Sequence, residues 1–195
     1  MQSRNLAEHT LVTVVLGGLA LTSAAPAHAV APSATAYAQA RQDGRPAWAD
    51  AALEAVNAAR AQYGAAPVTW NDAVYPGAAE HAQSCKFEHG TAGGYGETIF
   101  ATTRPGTAAD VVRQAVQAWM AQAANYDPLK GGSNVGTGSF TQVVWKSTTQ
   151  IAVGFARCPP NTALKFPADS YYVVARFTPP GNISGQFWQN VGSHV

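Results

Sequence analysis

The sequence predicts a mixed α and β domain in which helices pack around a small sheet. Two segments carry strand signals: Ile151-Ala152-Val153-Gly154-Phe155 by alternation, and YYVVARF at residues 171–177 by its β-branched and aromatic content. Upstream, three stretches repeat apolar residues at helical spacing. The two strands are joined by a loop bearing Pro and Asn, so they read as an antiparallel pair in one sheet.

The helices follow in order. Pro46 suits a first helical position, Leu53, Val56, Arg60 and Tyr63 continue at helical spacing, and Gly64 stops the helix. Asn71 can cap a second helix whose Tyr75, Ala78, Ala82 and Cys85 share one face, with Pro76 delaying or bending its start. Thr107 to Asp110 reads as a capping-box variant before a helix over residues 111–125. Its buried stripe is Val112, Ala115, Val116, Trp119 and Ala123. The run Val143-Val144-Trp145 is too short to classify by periodicity.

A chain of 195 residues with 47% hydrophobic content fits one globular domain plus extras. The extras are at the start. Arg4 gives a positive n-region weakened by Glu8, residues 11–21 form an apolar core, and Ala27-His28-Ala29 is an A-x-A cleavage site. Residues 1–29 therefore read as a secretory signal, against the alternative of an uncleaved anchor. Residues 30–45, mostly Ala, Pro, Ser and Gln, read as a flexible segment, and residues 46–195 as the domain.

Removing residues 1–29 takes one Arg from twelve basic residues and one Glu from eleven acidic ones, leaving eleven minus ten, or +1. So even a balance supplies no attraction for nucleic acid or an anionic membrane. Cys85 and Cys158 are the two cysteines. An even count in an oxidising compartment favours a disulfide; two buried thiols are the alternative.

The stretch TGSFTQVVWKSTTQ at residues 137–150 resembles the signature of the CAP superfamily of cysteine-rich secretory, antigen 5 and pathogenesis-related proteins. GYGET at residues 94–98, the VVARFTPPGN run and the closing GQFWQNV resemble the same family, most nearly its fungal secreted members. Four ordered motifs over roughly residues 48–191 are more specific than any one. The resemblance implies a three-layer α-β-α sandwich with a small antiparallel sheet between helices. It also implies a Cys85–Cys158 bridge, because the positions of a second family pair are filled by Val153 and Ala175.

Family members usually carry two His and two Glu in a central cleft. By motif, these positions fall on His89, Glu97, Gln122 and Ser139, so half of the set is replaced. A neutral amide and a protonated hydroxyl are poor zinc ligands, and Gln122 cannot titrate. The expectation is a residual polar cleft with no metal, no cofactor and no catalytic residue. Ser139 is the expected partner of Gln122. TGSF is not a nucleophile elbow. His81 reads as the solvent edge of the second helix and His194 as tail; neither receives a role.

Fungal and plant relatives bind sterols or fatty acids, which the resemblance extends to this chain as a suspected apolar ligand. The corresponding loop is DPLKGGSNVG at residues 127–136, offering Leu129 and Val135 with Tyr126 and Phe140 at its borders. It is either a Gly-rich surface loop or a ligand gate. Asn182-Ile183-Ser184 is a glycosylation sequon, with an unmodified turn Asn as the alternative. The resulting expectation is a secreted, monomeric, non-enzymatic binding protein, possessing no membrane span after signal removal and acting as an effector or defence-related protein. A metal-dependent hydrolase using the cleft and a protein-interaction effector are the alternatives.

Overall fold

The computed structural model describes residues 44–91, 93–130, 132 and 136–195. The expected signal at residues 1–29 and nearly all of the segment at 30–45 lie outside them. Five helices are present among the described residues: α1 Ala49–Ala61, α2 Tyr75–Gln83, α3 Ala108–Ala121, α4 Gly138–Val143 and α5 Phe187–Asn190. Four strands, β1 Thr69–Trp70, β2 Gly96–Thr102, β3 Gln150–Cys158 and β4 Ser170–Thr178, form one sheet in the order β1-β3-β4-β2.

Both expected strands form and pair antiparallel, with Gly154 opposite Val174. Two further strands carried no clear sequence signal. β2 pairs antiparallel with β4, and β1 pairs parallel with β3. The sheet is thus mixed, which corrects the antiparallel expectation. No tight turn joins β1 to β3, so nothing forces opposite directions; Thr69 N donates to Thr149 O and Asn71 N to Ile151 O.

The central strands β3 and β4 are buried on both faces. On one side Ile151, Val153, Phe155, Val173 and Phe177 join the main core with residues of α1, α3 and α4. On the other, Tyr172 and Val174 pack with Ala82 of α2 and Cys158. Helices therefore cover both faces, the expected layering. α2 lies so close to the sheet that a Cβ on Gly154 would run into the Ala78 carbonyl.

Local chemistry sets the helix ends. Thr107 and Asp110 form the capping box of α3, and Val111, Val112, Ala115, Val116 and Trp119 are its buried stripe. α3 ends at Ala121, and a 3-10 turn over Gln122–Asn125 replaces its last expected turn. Asn71 does not cap α2. Its Oδ1 accepts from Ala73 N and Val74 N in a turn, and the helix starts at Tyr75 with Pro76 in its first turn. Pro46 precedes α1, whose first residue, Ala49, donates back to its carbonyl.

Arg60 ties these pieces together. Its fully buried guanidinium donates to the carbonyls of Ala66, Val143, Trp145 and Thr148. Burial lowers its pKa to about 10, still charged at neutral pH. Val143-Val144-Trp145, unclassified by periodicity, closes the short α4 and is wholly buried. Cys85 and Cys158 are bridged, fixing the end of α2 to the end of β3.

Candidate functional site

The polar cluster is built where the α2–β2 connection meets the sheet. Glu97 lies opposite Arg176 in the β2–β4 ladder, and Arg176 Nε donates to Glu97 Oε2 at 3.3 Å. The guanidinium also stacks over the Tyr95 ring, 4.1 Å from its centroid. His81 Nδ1 reaches the same oxygen at 3.1 Å. The other oxygen, Oε1, takes Gly90 N–H at 2.8 Å and His89 Nδ1 at 3.3 Å.

Burial disfavours the charged form of Glu97 most strongly, but the Gly90 N–H, His81 and Arg176 together outweigh it and hold the carboxyl below its usual range. A carboxylate has about four acceptor sites. All four are used here.

His81 is therefore not at the solvent edge. Its side chain is only 11% exposed, and its ring meets Tyr172 edge-on. Tyr172 OH lies 3.4 Å from His81 Nε2 and donates to Glu88 O at 3.2 Å. Burial, then the Glu97 charge, pushes the Tyr172 phenol far up, so it stays protonated.

Beside this cluster opens a cleft of about 320 Å³ lined by His89, Glu97, Gln122, Ser139 and Asn182, with Gly136 and Gly138. The four expected cleft residues thus line one cavity. Gln122 and Ser139 meet differently from the expectation. Gln122 Oε1 accepts the backbone N–H of Ser139 at 3.0 Å and of Phe140 at 3.4 Å, and the Ser139 hydroxyl is not its partner. The first N–H groups of a helix lack internal acceptors, so the amide oxygen is drawn to the start of α4.

Asn182 sits on the cleft wall in the left-handed region, φ +58°. Its Nδ2 donates to Gly138 O and its Oδ1 accepts from Thr141 Oγ1. Both ends of the amide at the sequon are thereby engaged.

The donor set does not fit a transition metal. Glu97 has no acceptor site to spare, Gln122 is a neutral amide and Ser139 a neutral hydroxyl. Among the described residues, no group of three His, Cys, Asp or Glu is placed to hold one.

Of the loop residues proposed for an apolar ligand, Tyr126 and Phe140 line one cavity of about 250 Å³ with Pro128 and Tyr63, and Leu129 stands apart from it. Leu129 is 94% exposed, whereas Phe140 is a core residue packed between Tyr63 and Tyr126. Val135 lies outside the described residues. A different apolar surface occurs between α1 and α3, a groove of about 390 Å³. Ala55, Ala58, Ala59, Val116 and Met120 line it, and Glu54, Gln62, Arg113 and Gln117 edge it.

Residues 53–177 match the profile of CAP, the cysteine-rich secretory protein family. The chain belongs to this family. Fruiting body protein SC7 of Schizophyllum commune is 34% identical over 137 residues, covering 68% of this chain and 64% of that protein. The chain thus spans under two thirds of the length of that CAP relative. A pathogenesis-related protein of PR-1 type from Sambucus nigra is 31% identical over 141 residues, covering 69% of this chain and 77% of that one. The CAP fold also matches a crystal structure of NaASP2 with Zn²⁺, at a TM-score of 0.58 and 22% identity, covering 80% of this chain and 91% of that one. At that identity the likeness is one of fold alone.

Proposed function

We propose that this chain is a secreted, non-enzymatic CAP protein that binds a fatty acid in the groove between α1 and α3. The groove itself carries the reading. Small alanines on α1 leave a trough against Val116 and Met120 of α3, while the core-facing Val56 and Val112 stay buried. A linear chain laid there gains about 0.8 kcal/mol for each methylene taken out of water.

Arg113 lies at the rim, 3.7 Å from Glu54, in a pair whose side chains are 46% and 76% exposed. Such a pair is weak, so a ligand carboxylate can take its place and gain the two-pronged guanidinium contact. A sterol at residues 127–136 is less well supported, because Leu129 is almost fully exposed and the cavity lined by Tyr126 and Phe140, about 250 Å³, is smaller than the α1–α3 groove. The leader pattern, the disulfide and the family favour secretion. An effector or defence-related role outside the cell belongs to the same reading.

Displacement of cis-parinaric acid, a fluorescent fatty acid, tests the site. The expected result is saturable binding competed by palmitate and lost in Ala58→Trp, which fills the groove from its solvent side. Binding unchanged by that substitution ends the reading. The hydrolase alternative is tested by zinc calorimetry: micromolar binding that disappears in His89→Ala would favour it.

A further inference from the structure

The polar cleft has a hydrogen-bonding pattern of its own, independent of the fatty-acid groove. Because Gln122 Oε1 accepts two backbone N–H groups, the orientation of the amide is settled and its NH₂ is the end left over. Among the described residues, neither that NH₂ nor the Ser139 hydroxyl has a protein acceptor, and both residues line the cleft. Asn182 Nδ2 gives one hydrogen to Gly138 O and keeps a second.

His89 completes the array. Glu97 is ionised, so the His89 Nδ1 that faces it carries the hydrogen. In the neutral ring Nε2 is then an acceptor, on a side chain that is 64% exposed. Among the described lining residues Glu97 is the one carboxylate, and it is matched within the protein by Arg176.

We propose that this cleft is a site for a neutral polyhydroxyl ligand, a pyranose ring of a carbohydrate. Each sugar hydroxyl both donates and accepts. One can take hydrogens from Gln122 Nε2 or Ser139 Oγ while another gives one to His89 Nε2. A transition metal lacks ligands here. An anion finds donors but, among the described lining residues, no Lys or Arg. The cleft volume of about 320 Å³ admits a single ring. With hydrogen bonds alone and no aromatic face among the lining residues, the expected affinity is millimolar.

The test is a titration of the ¹⁵N-labelled protein with cellotriose, followed by the Gln122 side-chain amide and the Gly138 and Ser139 backbone amides. The expected result is saturable shifts at these three groups. Gln122→Glu keeps an oxygen for the α4 N–H groups but turns the donors into an acceptor. It is expected to weaken cellotriose at least tenfold, with an unchanged melting temperature. Ser139→Ala is expected to weaken it severalfold. Any of three results overturns the proposal: no shift at high cellotriose, Gln122→Glu binding as tightly as wild type, or sulfate shifting these amides where cellotriose does not. None of these bears on parinaric acid binding, so the two sites stand or fall separately.

Discussion

Arg176 Nε donates to Glu97 Oε2 at 3.3 Å, and the two residues face each other across the β2–β4 ladder. That contact, with those from His81, His89 and Gly90, makes Glu97 an internal counter-charge. A carboxylate in this position ties His81, His89 and the Gly90 N–H to the β2–β4 ladder.

The fold favours ionised Glu97, so the carboxyl titrates lower in the native state than in the unfolded chain. The unfolded chain therefore binds the extra proton first as pH falls, and stability falls with it. The contribution is complete above the ordinary glutamate value of about 4.3 and disappears as pH drops through the lower native one. Urea unfolding of wild type and Glu97→Gln is expected to show a stability gap that is constant near neutral pH and narrows below about pH 4. A gap independent of pH down to acid unfolding contradicts this role.

Gln122 is expected to act through its oxygen. Gln122→Ala leaves the Ser139 and Phe140 N–H groups without their acceptor and should cost about 1 kcal/mol. Gln122→Glu retains an acceptor and should stay within about 0.5 kcal/mol of wild type. Denaturant midpoints read both. Equal losses in the two variants would show that the contact is incidental.

Arg60 is the most exacting side chain in the core. Arg60→Met fills a similar space but leaves carbonyls from Ala66, Val143, Trp145 and Thr148 without donors. An expected loss of at least about 3 kcal/mol follows from unsatisfied buried acceptors. Chemical denaturation measures it, and a loss below about 1 kcal/mol would mean that water replaces the guanidinium.

Much of this fold could be read from the chain because local chemistry agrees with the tertiary structure. β3 alternates, β4 is β-branched and aromatic, and Thr107 with Asp110 caps α3 as its spacing implies. β1 is two residues long, too short for any period, and its parallel direction depends on a distant partner. α4 was hidden because Phe140 to Val144 are buried on every side, which erases the helical stripe.

The four motif positions His89, Glu97, Gln122 and Ser139 line one cleft, but its bonding could not be read from the sequence. His81 is three residues past the buried Ala78, a spacing that places it at the flank of the covered face of α2. The pairing of Glu97 with Arg176 needs the register of β2 against β4, which no local pattern encodes. The α1–α3 groove arises from alanines, whose small size is visible in sequence only as helix propensity.

Native mass spectrometry of the protein loaded with palmitate and washed free of excess tests the groove most directly. One acyl chain per polypeptide is expected, absent from Ala58→Trp and retained by Gln122→Glu. An empty wild-type chain, or palmitate held equally by Ala58→Trp, would contradict the account.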